Sequence, residues 1–316
     1  MSEIRVGIDL GGTKVEGIAL QRRELGGQER HGSREGDGEY VTLARVRRAT
    51  ERDRGYEHIL DVTAEVLAET ERQAGVKNVA RVGIGMPGSL TEAGMVKNAN
   101  TTALNGRPFR SDLVARLGRP IVFANDANCF ALAERVLGAA RGARVTFGVI
   151  MGTGVGGGIV IADEGAPRVW DGAQGIAGEW GHVALEPERG PACYCGRRGC
   201  IETYLSGPFI EKDYLARAGV ARRLVDVAAA RATDPAARAT LEHLTEMFGR
   251  ALATVVNVLD PDVIVLGGGV SNVDVLYDAG IEALRRWAFT DVLRTRVVKN
   301  AVGDSAGVFG AAFLPK

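Results

Sequence analysis

The chain has no net charge: 39 Lys and Arg stand against 39 Asp and Glu in 316 residues. That balance gives no sign of a nucleic-acid partner, which favours a basic face. Aromatic residues are few, 6%, and do not interleave with basic ones as stacking on bases would require. Cysteine is scarce. Four cysteines in a chain long enough to bury a sizeable core do not make a disulfide framework, which serves smaller domains. The start lacks a basic region followed by an apolar signal core. One long uncharged stretch, residues 145–162, is too rich in glycine, with β-branched ends, to read as a membrane span and fits two strands around a turn. A soluble, cytoplasmic protein is expected, with no membrane and no nucleic-acid partner.

Glycine is the residue in excess, 43 of 316, about twice the usual share. Without a collagen period, the glycines serve turns and close backbone approach. A strand at residues 4–8 is followed by Asp9, Gly11, Gly12, Thr13 and Lys14, then a second strand at 15–20. Further strands fall at 40–47, 79–84, 121–124, 263–266 and 296–299, and helices at 56–74, 127–137, 222–231, 241–259, 281–289 and 306–313. Residues 21–38 read as a strand end and an exposed, charged loop. About 140 residues after the first hairpin the pattern recurs: strand 145–150, the turn Gly152, Thr153, Gly154, and strand 158–161. Strands alternating with helices predict an α/β fold, and the recurrence a duplicated one.

The glycine turns offer backbone N–H groups to phosphate oxygens. The first turn has neither P-loop nor GxGxxG spacing, and Gly152, Gly154 and Gly157 match GxGxxG ahead of a strand rather than a helix. Alone, each is as well read as a plain hairpin. With Gly267 and Gly268 at a third strand end, three such turns point to a nucleotide. Asp126 follows a strand and opens a helix, as an N-cap or as a general base. Asp9 suits a turn or magnesium held through water. Cys193, Cys195 and Cys200, with His182 eleven residues upstream of Cys193, form a set fit for a closed tetrahedral zinc site or for three buried thiols. Cys129 reads as core. Glu179, His182 and Glu202 around this loop are candidates to hydrogen-bond a polyol.

These residues together carry a resemblance. The run DLGGTK at 9–14 resembles the first phosphate loop of the ROK family (repressors, open reading frames and kinases). Residues 148–182, closing on Gly178, Glu179, Trp180, Gly181 and His182, resemble its signature stretch, and residues 193–202, CYCGRRGCIE, its zinc loop. Residues 97–106, KNANTTALNG, and 193–202 are most similar to bacterial fructokinases and mannokinases of that family.

The resemblance implies an actin-like, ribonuclease-H-like pair of α/β domains with a central cleft: residues 1–124, completed by the C-terminal helix at about 300–316, and 125–299 with the zinc loop. It implies ATP, magnesium, structural zinc, a hexose substrate and a homodimer. It makes Asp126 the base that takes the sugar proton. Gly88, Asn105, Asn125, Asp126, Glu179, His182 and Glu202 become the sugar side, His182 serving zinc through one ring nitrogen and the sugar through the other. Asp9, Gly11, Gly12, Thr13 and Lys14, then Gly152, Thr153 and Gly154, become phosphate loops, with Gly267 and Gly268 on the adenosine side. His182, Cys193, Cys195 and Cys200 become the zinc ligands.

The expected activity is phosphorylation of the 6-hydroxyl of a hexose, fructose first, with glucose, mannose and N-acetylhexosamines as alternatives. A sugar-responsive repressor of the same family is the rival of another class. Such members carry a helix-turn-helix ahead of the first phosphate loop, where this sequence has eight residues before Asp9.

Overall fold

A computed structural model describes residues 3–23, 39–99, 101–163 and 165–315. In chain order the elements are β1 (Ile4–Leu10), β2 (Lys14–Arg22), β3 (Tyr40–Ala49), α1 (Tyr56–Gln73), β4 (Val82–Met86), β5 (Ser89–Leu90), β6 (Val96–Lys97) and α2 (Phe109–Leu117). Next come β7 (Val122–Asn125), α3 (Asp126–Val136), β8 (Val145–Met151), β9 (Val155–Ile161), β10 (Arg168–Val169), α4 (Glu202–Leu205) and α5 (Gly207–Ala218). They are followed by α6 (Leu224–Ala229), α7 (Pro235–Leu259), β11 (Val263–Gly267), α8 (Ala279–Trp287), β12 (Arg296–Lys299) and α9 (Ala306–Phe313). Most of the charged segment expected as a loop at 21–38 falls outside the described residues; β2 itself runs on through Arg22.

The two main sheets repeat one plan. The first has the order β3-β2-β1-β4-β7 and the second β10-β9-β8-β11-β12. In each, the first strand of the glycine hairpin pairs in parallel with a later strand: β1 with β4 in the first sheet, β8 with β11 in the second. One register row crosses the first sheet from Arg47 to Glu16, Asp9, Gly85 and Ala124. Asp9, the Gly11–Lys14 turn and the Asn125–Asp126 junction therefore emerge at the carboxyl ends of the parallel strands, where open α/β sheets place ligands.

Contacts divide the chain into two compact units, Met1–Gly142 with Gly158–Ala177 and Ala301–Lys316, and Ala143–Gly157 with Gly178–Asn300. The sequence puts the first boundary at 124/125, but α3 stays with the first unit. Its Ala131, Leu132 and Val136 share a core with Ile18, Leu20, Val160, Val308, Ala312 and Phe313. The other face of the first sheet packs on Ile59, Val62 and Val66 of α1. In the second unit the apolar side expected on the long helix buries Leu244, Phe248, Ala251 and Val255. Val258, expected with them, is 89% exposed, because the last turn of α7 extends beyond the packed stretch. No described helix is long and apolar enough to cross a membrane.

α9 lies backbone to backbone on its neighbours. A Cβ on Gly7 would stand 2.3 Å from the Val308 carbonyl oxygen, one on Gly83 1.9 Å from that of Ala311, and one on Gly310 1.7 Å from that of Cys129. Backbone cannot swing aside as a side-chain tip can. Gly310→Ala is therefore expected to destabilise the protein by at least about 1–3 kcal/mol, the usual cost of overpacking, read from urea midpoints at unchanged slope.

Candidate active site

In the first unit the turn after β1 is tightened by a bond from the Gly11 N–H to the Lys14 carbonyl, 2.9 Å. Thr50, fully buried at the end of β3, clamps it from outside. Its hydroxyl donates to the Gly11 carbonyl at 2.7 Å and its N–H to the Thr13 carbonyl at 3.0 Å. With two turn carbonyls drawn toward Thr50, the turn has a fixed pitch. Lys14 does not stand alone at this tip: its Nζ lies 3.1 Å from Oε2 of Glu16, whose Oε1 holds Arg45 at 2.6 Å and Arg47 at 3.0 Å. Burial opposes ionisation of Glu16, but Arg47, Arg45 and Lys14 hold its carboxyl below the ordinary value. Sequence motifs signal neither Thr50 nor this cluster. Only alternation along β3 puts Arg45 and Arg47 on one face.

Asp9 sits against the first turn of α9, where a Cβ on Gly307 would be 2.9 Å from its Oδ2. Burial, then the charges of Asp126 and Glu16, push its carboxyl up from 3.8 to about 7, with Lys14 opposing. Asp9 and Asp126 are thus near enough to repel. Asn125 caps α3: its Oδ1 accepts from the Ala127 N–H at 2.9 Å, and its Nδ2 donates to the Gly88 carbonyl at 2.9 Å. Asp126, half-buried, is the first residue of that helix, with Oδ1 2.8 Å from the Ala127 nitrogen. Gly88 has φ +77° and passes so close to residues 97–99 that a Cβ would meet the Lys97 carbonyl oxygen at 2.4 Å. Asn105 bonds both polar groups of the Ala99 backbone, each at 2.9 Å. Its amide therefore shapes the loop rather than pointing out of it.

In the second unit the Gly152–Gly154 turn is closed by the Gly152 N–H on the Gly154 carbonyl, 2.9 Å. Gly268, φ +79°, packs its backbone on the end of β8; a Cβ there would lie 2.3 Å from the Met151 carbonyl oxygen. The expected phosphate turn and the expected adenosine-side turn are therefore adjacent. Glu202, buried, accepts from the Val155 N–H at 2.9 Å.

The four expected zinc ligands converge, all their ligand atoms within 4.8 Å of one another. The Sγ of Cys193 is 3.7 Å from His182 Nδ1, and the Sγ atoms of Cys195 and Cys200 are 3.6 Å apart. A tetrahedral zinc with bonds near 2.3 Å to sulfur has edges of about 3.8 Å, so the set fits that ion. Burial, Cys195 and Cys193 push the Cys200 thiol up to about 12, whereas against burial the Arg197 backbone and side chain hold Cys195 down to about 6. A bound cation offsets such repulsion between thiolates.

The other ring nitrogen of His182, expected to face a sugar hydroxyl, instead meets the Tyr194 hydroxyl at 3.0 Å. Tyr194 is 80% exposed and is not picked out from the sequence.

Two five-stranded sheets of one topology, each with a glycine hairpin, define the actin-like ATPase fold. The family model described as ROK family matches residues 5–316. The crystal structure of a ROK hexokinase from Thermus thermophilus superposes with a TM-score of 0.82 at 33% identity, covering 99% of this chain and 97% of that one. An N-acetyl-D-glucosamine kinase of Photobacterium profundum is 35% identical over 320 residues, 98% of each chain. The N-acetylgalactosamine kinase AgaK of a Shewanella species is 33% identical over 98% of this chain and 95% of its own. The chain belongs to the ROK family.

Proposed function

We propose that this ROK-family sugar kinase transfers the γ-phosphoryl group of ATP to the 6-hydroxyl of a hexose, with Asp126 as the base. The observation that carries the assignment is the place of Asp126. It is a half-buried carboxylate at the start of α3, at the carboxyl ends of the parallel strands and electrostatically coupled to Asp9 beside the first glycine turn. As the sugar oxygen bonds to the γ-phosphorus, the bond to the β-phosphate oxygen breaks and ADP leaves, while the hydroxyl proton passes to Asp126. Asn125, Gly88, Glu179, Glu202 and, once its Nε2 is released by Tyr194, His182 are assigned to the sugar, with Asn105 shaping its loop. The turns at 11–14 and 152–154 are assigned to the phosphates and Gly267–Gly268 to the adenosine. Magnesium, when bound, neutralises phosphate charge, and Asp9 is the residue suited to hold it through water. His182, Cys193, Cys195 and Cys200 are assigned to one structural zinc, and the working form to a homodimer.

Two sugar classes have support. N-acetylhexosamines are the substrates in the names of the two relatives above, similar over nearly the whole chain. Fructose is favoured by residues 97–106 and 193–202. The test is kcat/KM with ATP for N-acetylglucosamine, fructose, mannose and glucose. One of them is expected to lead by about tenfold or more, because a site built on hydrogen bonds rejects analogues that leave its groups unpaired. Absence of turnover with all four overturns the assignment.

A further inference from the structure

Residues 152–157 rest on both segments that carry the sulfur and imidazole ligands. From the His182 side, Gly181 passes against β9 so closely that a Cβ would stand 2.1 Å from the Val155 carbonyl oxygen, and Trp180 lies where a Cβ on Gly157 would fall, 2.7 Å away. From the cysteine side, Glu202, two residues past Cys200, sends its carboxylate to the Val155 N–H at 2.9 Å. That oxygen also borders Gly154, where a Cβ would stand 2.8 Å from it. Both polar faces of the Val155 peptide neighbourhood are therefore met by the ligand-bearing segments, one by backbone contact and one by a buried carboxylate.

The two segments are bonded to each other as well. The Ile201 N–H donates to the Val183 carbonyl at 2.9 Å, and the Leu185 N–H to the Gly199 carbonyl at 2.8 Å. The Cys200 thiol lies 3.7 Å from the His182 carbonyl. Beyond Glu202 the chain returns to the turn itself, the Gly207 N–H donating to the Gly152 carbonyl at 2.8 Å. A carboxylate that accepts from a backbone N–H in a buried setting makes one of the stronger hydrogen bonds in a protein. Leaving that N–H without it carries the full desolvation cost.

We infer that Glu202 is a positioning residue for the nucleotide, a strut through which the His182–Cys193–Cys195–Cys200 cluster fixes the Gly152–Gly154 turn, so that occupancy of the cluster by zinc sets nucleotide affinity even without sugar. This rests on the kinase assignment and goes beyond it. A zinc site serving only the sugar side would leave nucleotide binding untouched, whereas the strut makes both sides depend on it. Glu202→Gln keeps an acceptor oxygen for the Val155 N–H; Glu202→Ala removes it.

The experiment uses two readouts on the full chain. Mg·ADP affinity is measured calorimetrically with no sugar present, and amide exchange is followed across 152–157. Wild type is compared with Glu202→Ala, Glu202→Gln and wild type treated with a zinc-selective chelator, with zinc content measured in each. Loss of such an outer support typically costs about 10- to 100-fold. Glu202→Ala is expected to weaken Mg·ADP by about tenfold or more and to speed exchange at Val155 while retaining zinc. Chelation is expected to do the same, and zinc to reverse it. Glu202→Gln is expected to stay within about threefold of wild type, the remaining loss reflecting a neutral rather than charged acceptor. Unchanged Mg·ADP affinity, or unchanged exchange at Val155, in both Glu202→Ala and the chelated protein overturns the inference. Should Glu202→Ala not fold, the chelated wild type decides by the same criterion. A wild type that binds no Mg·ADP overturns the kinase assignment instead, and the strut is then judged on Val155 exchange alone.

Discussion

Asp126→Asn is expected to lower kcat by about 10²- to 10⁴-fold, the usual contribution of a positioned general base, with the fold intact. Asparagine keeps an oxygen for the Ala127 N–H, which Asp126 reaches at 2.8 Å, so the start of α3 has no reason to unravel. It also removes one of the charges that push the Asp9 and Cys129 groups upward. The variant should therefore be no less stable than wild type at pH 8. It should bind sugar and Mg·ADP within a few-fold of wild type, so that the loss falls on kcat and not on KM. Turnover near the wild-type rate would remove Asp126 from the chemistry and leave it an N-terminal residue of a helix.

Asp9→Asn is expected to separate activity from stability. The Asp9 carboxyl is raised by burial and by Asp126 and Glu16 from 3.8 to about 7. The native state thus holds this proton more tightly than the unfolded chain does. Its stabilising effect is fully present below the unfolded value near pH 4 and is lost as pH rises through about 7. Above that, a buried carboxylate faces two others. Asparagine is neutral throughout, so Asp9→Asn should melt higher than wild type at pH 8, with the gain shrinking toward nothing at pH 4. Activity should fall by at least about 10²-fold, the scale for a lost charge-stabilising group, and the magnesium needed for half-maximal rate should rise. Melting curves at the two pH values and a magnesium titration check both halves. A variant that melts lower at pH 8 would show that the Asp9 charge is already offset in the folded protein. Such a gain on removing a site residue is the signature of strain held for function.

Much of this site was legible in the sequence because its elements are short and chemically marked. Glycine turns between apolar runs located Gly11–Gly12, Gly152–Gly154 and Gly267–Gly268, and the spacing of three cysteines and a histidine located the sulfur cluster that the fold brings together. The duplicated plan showed as two similar hairpins and is complete as two sheets of one strand order. Three described helices left no such mark, one of them the single-turn α4. α2 buries only Phe109 and Leu113, and α5 only Ile210 and Tyr214, too few for a periodic stripe to stand out.

The clamps were illegible for a different reason. Thr50 reaches Gly11 across 39 residues, and Glu202 reaches Val155 across 47. Thr50 carries no mark, and Glu202, singled out for a polyol, carries none that points to Val155; both roles exist only once strands are paired. The same holds for the boundary at Gly142: α3 belongs with the first unit because of Gly310 and Ala312, residues far down the chain. Side-chain direction was the remaining blind spot. His182 could be named as a two-sided residue, but not that Tyr194 would occupy its Nε2.

The seating of α9 on Gly7, Gly83 and Cys129 also bears on how the protein is made. Strands β1 and β4, made well before residues 306–313, belong to a sheet one face of which that helix covers. The intervening unit, 178–300 with 143–157, is complete before that helix is synthesised. Of the two units, the one begun first is thus the last to close. For most of translation its β-strands present an uncovered apolar face, the state in which nascent chains depend on chaperones.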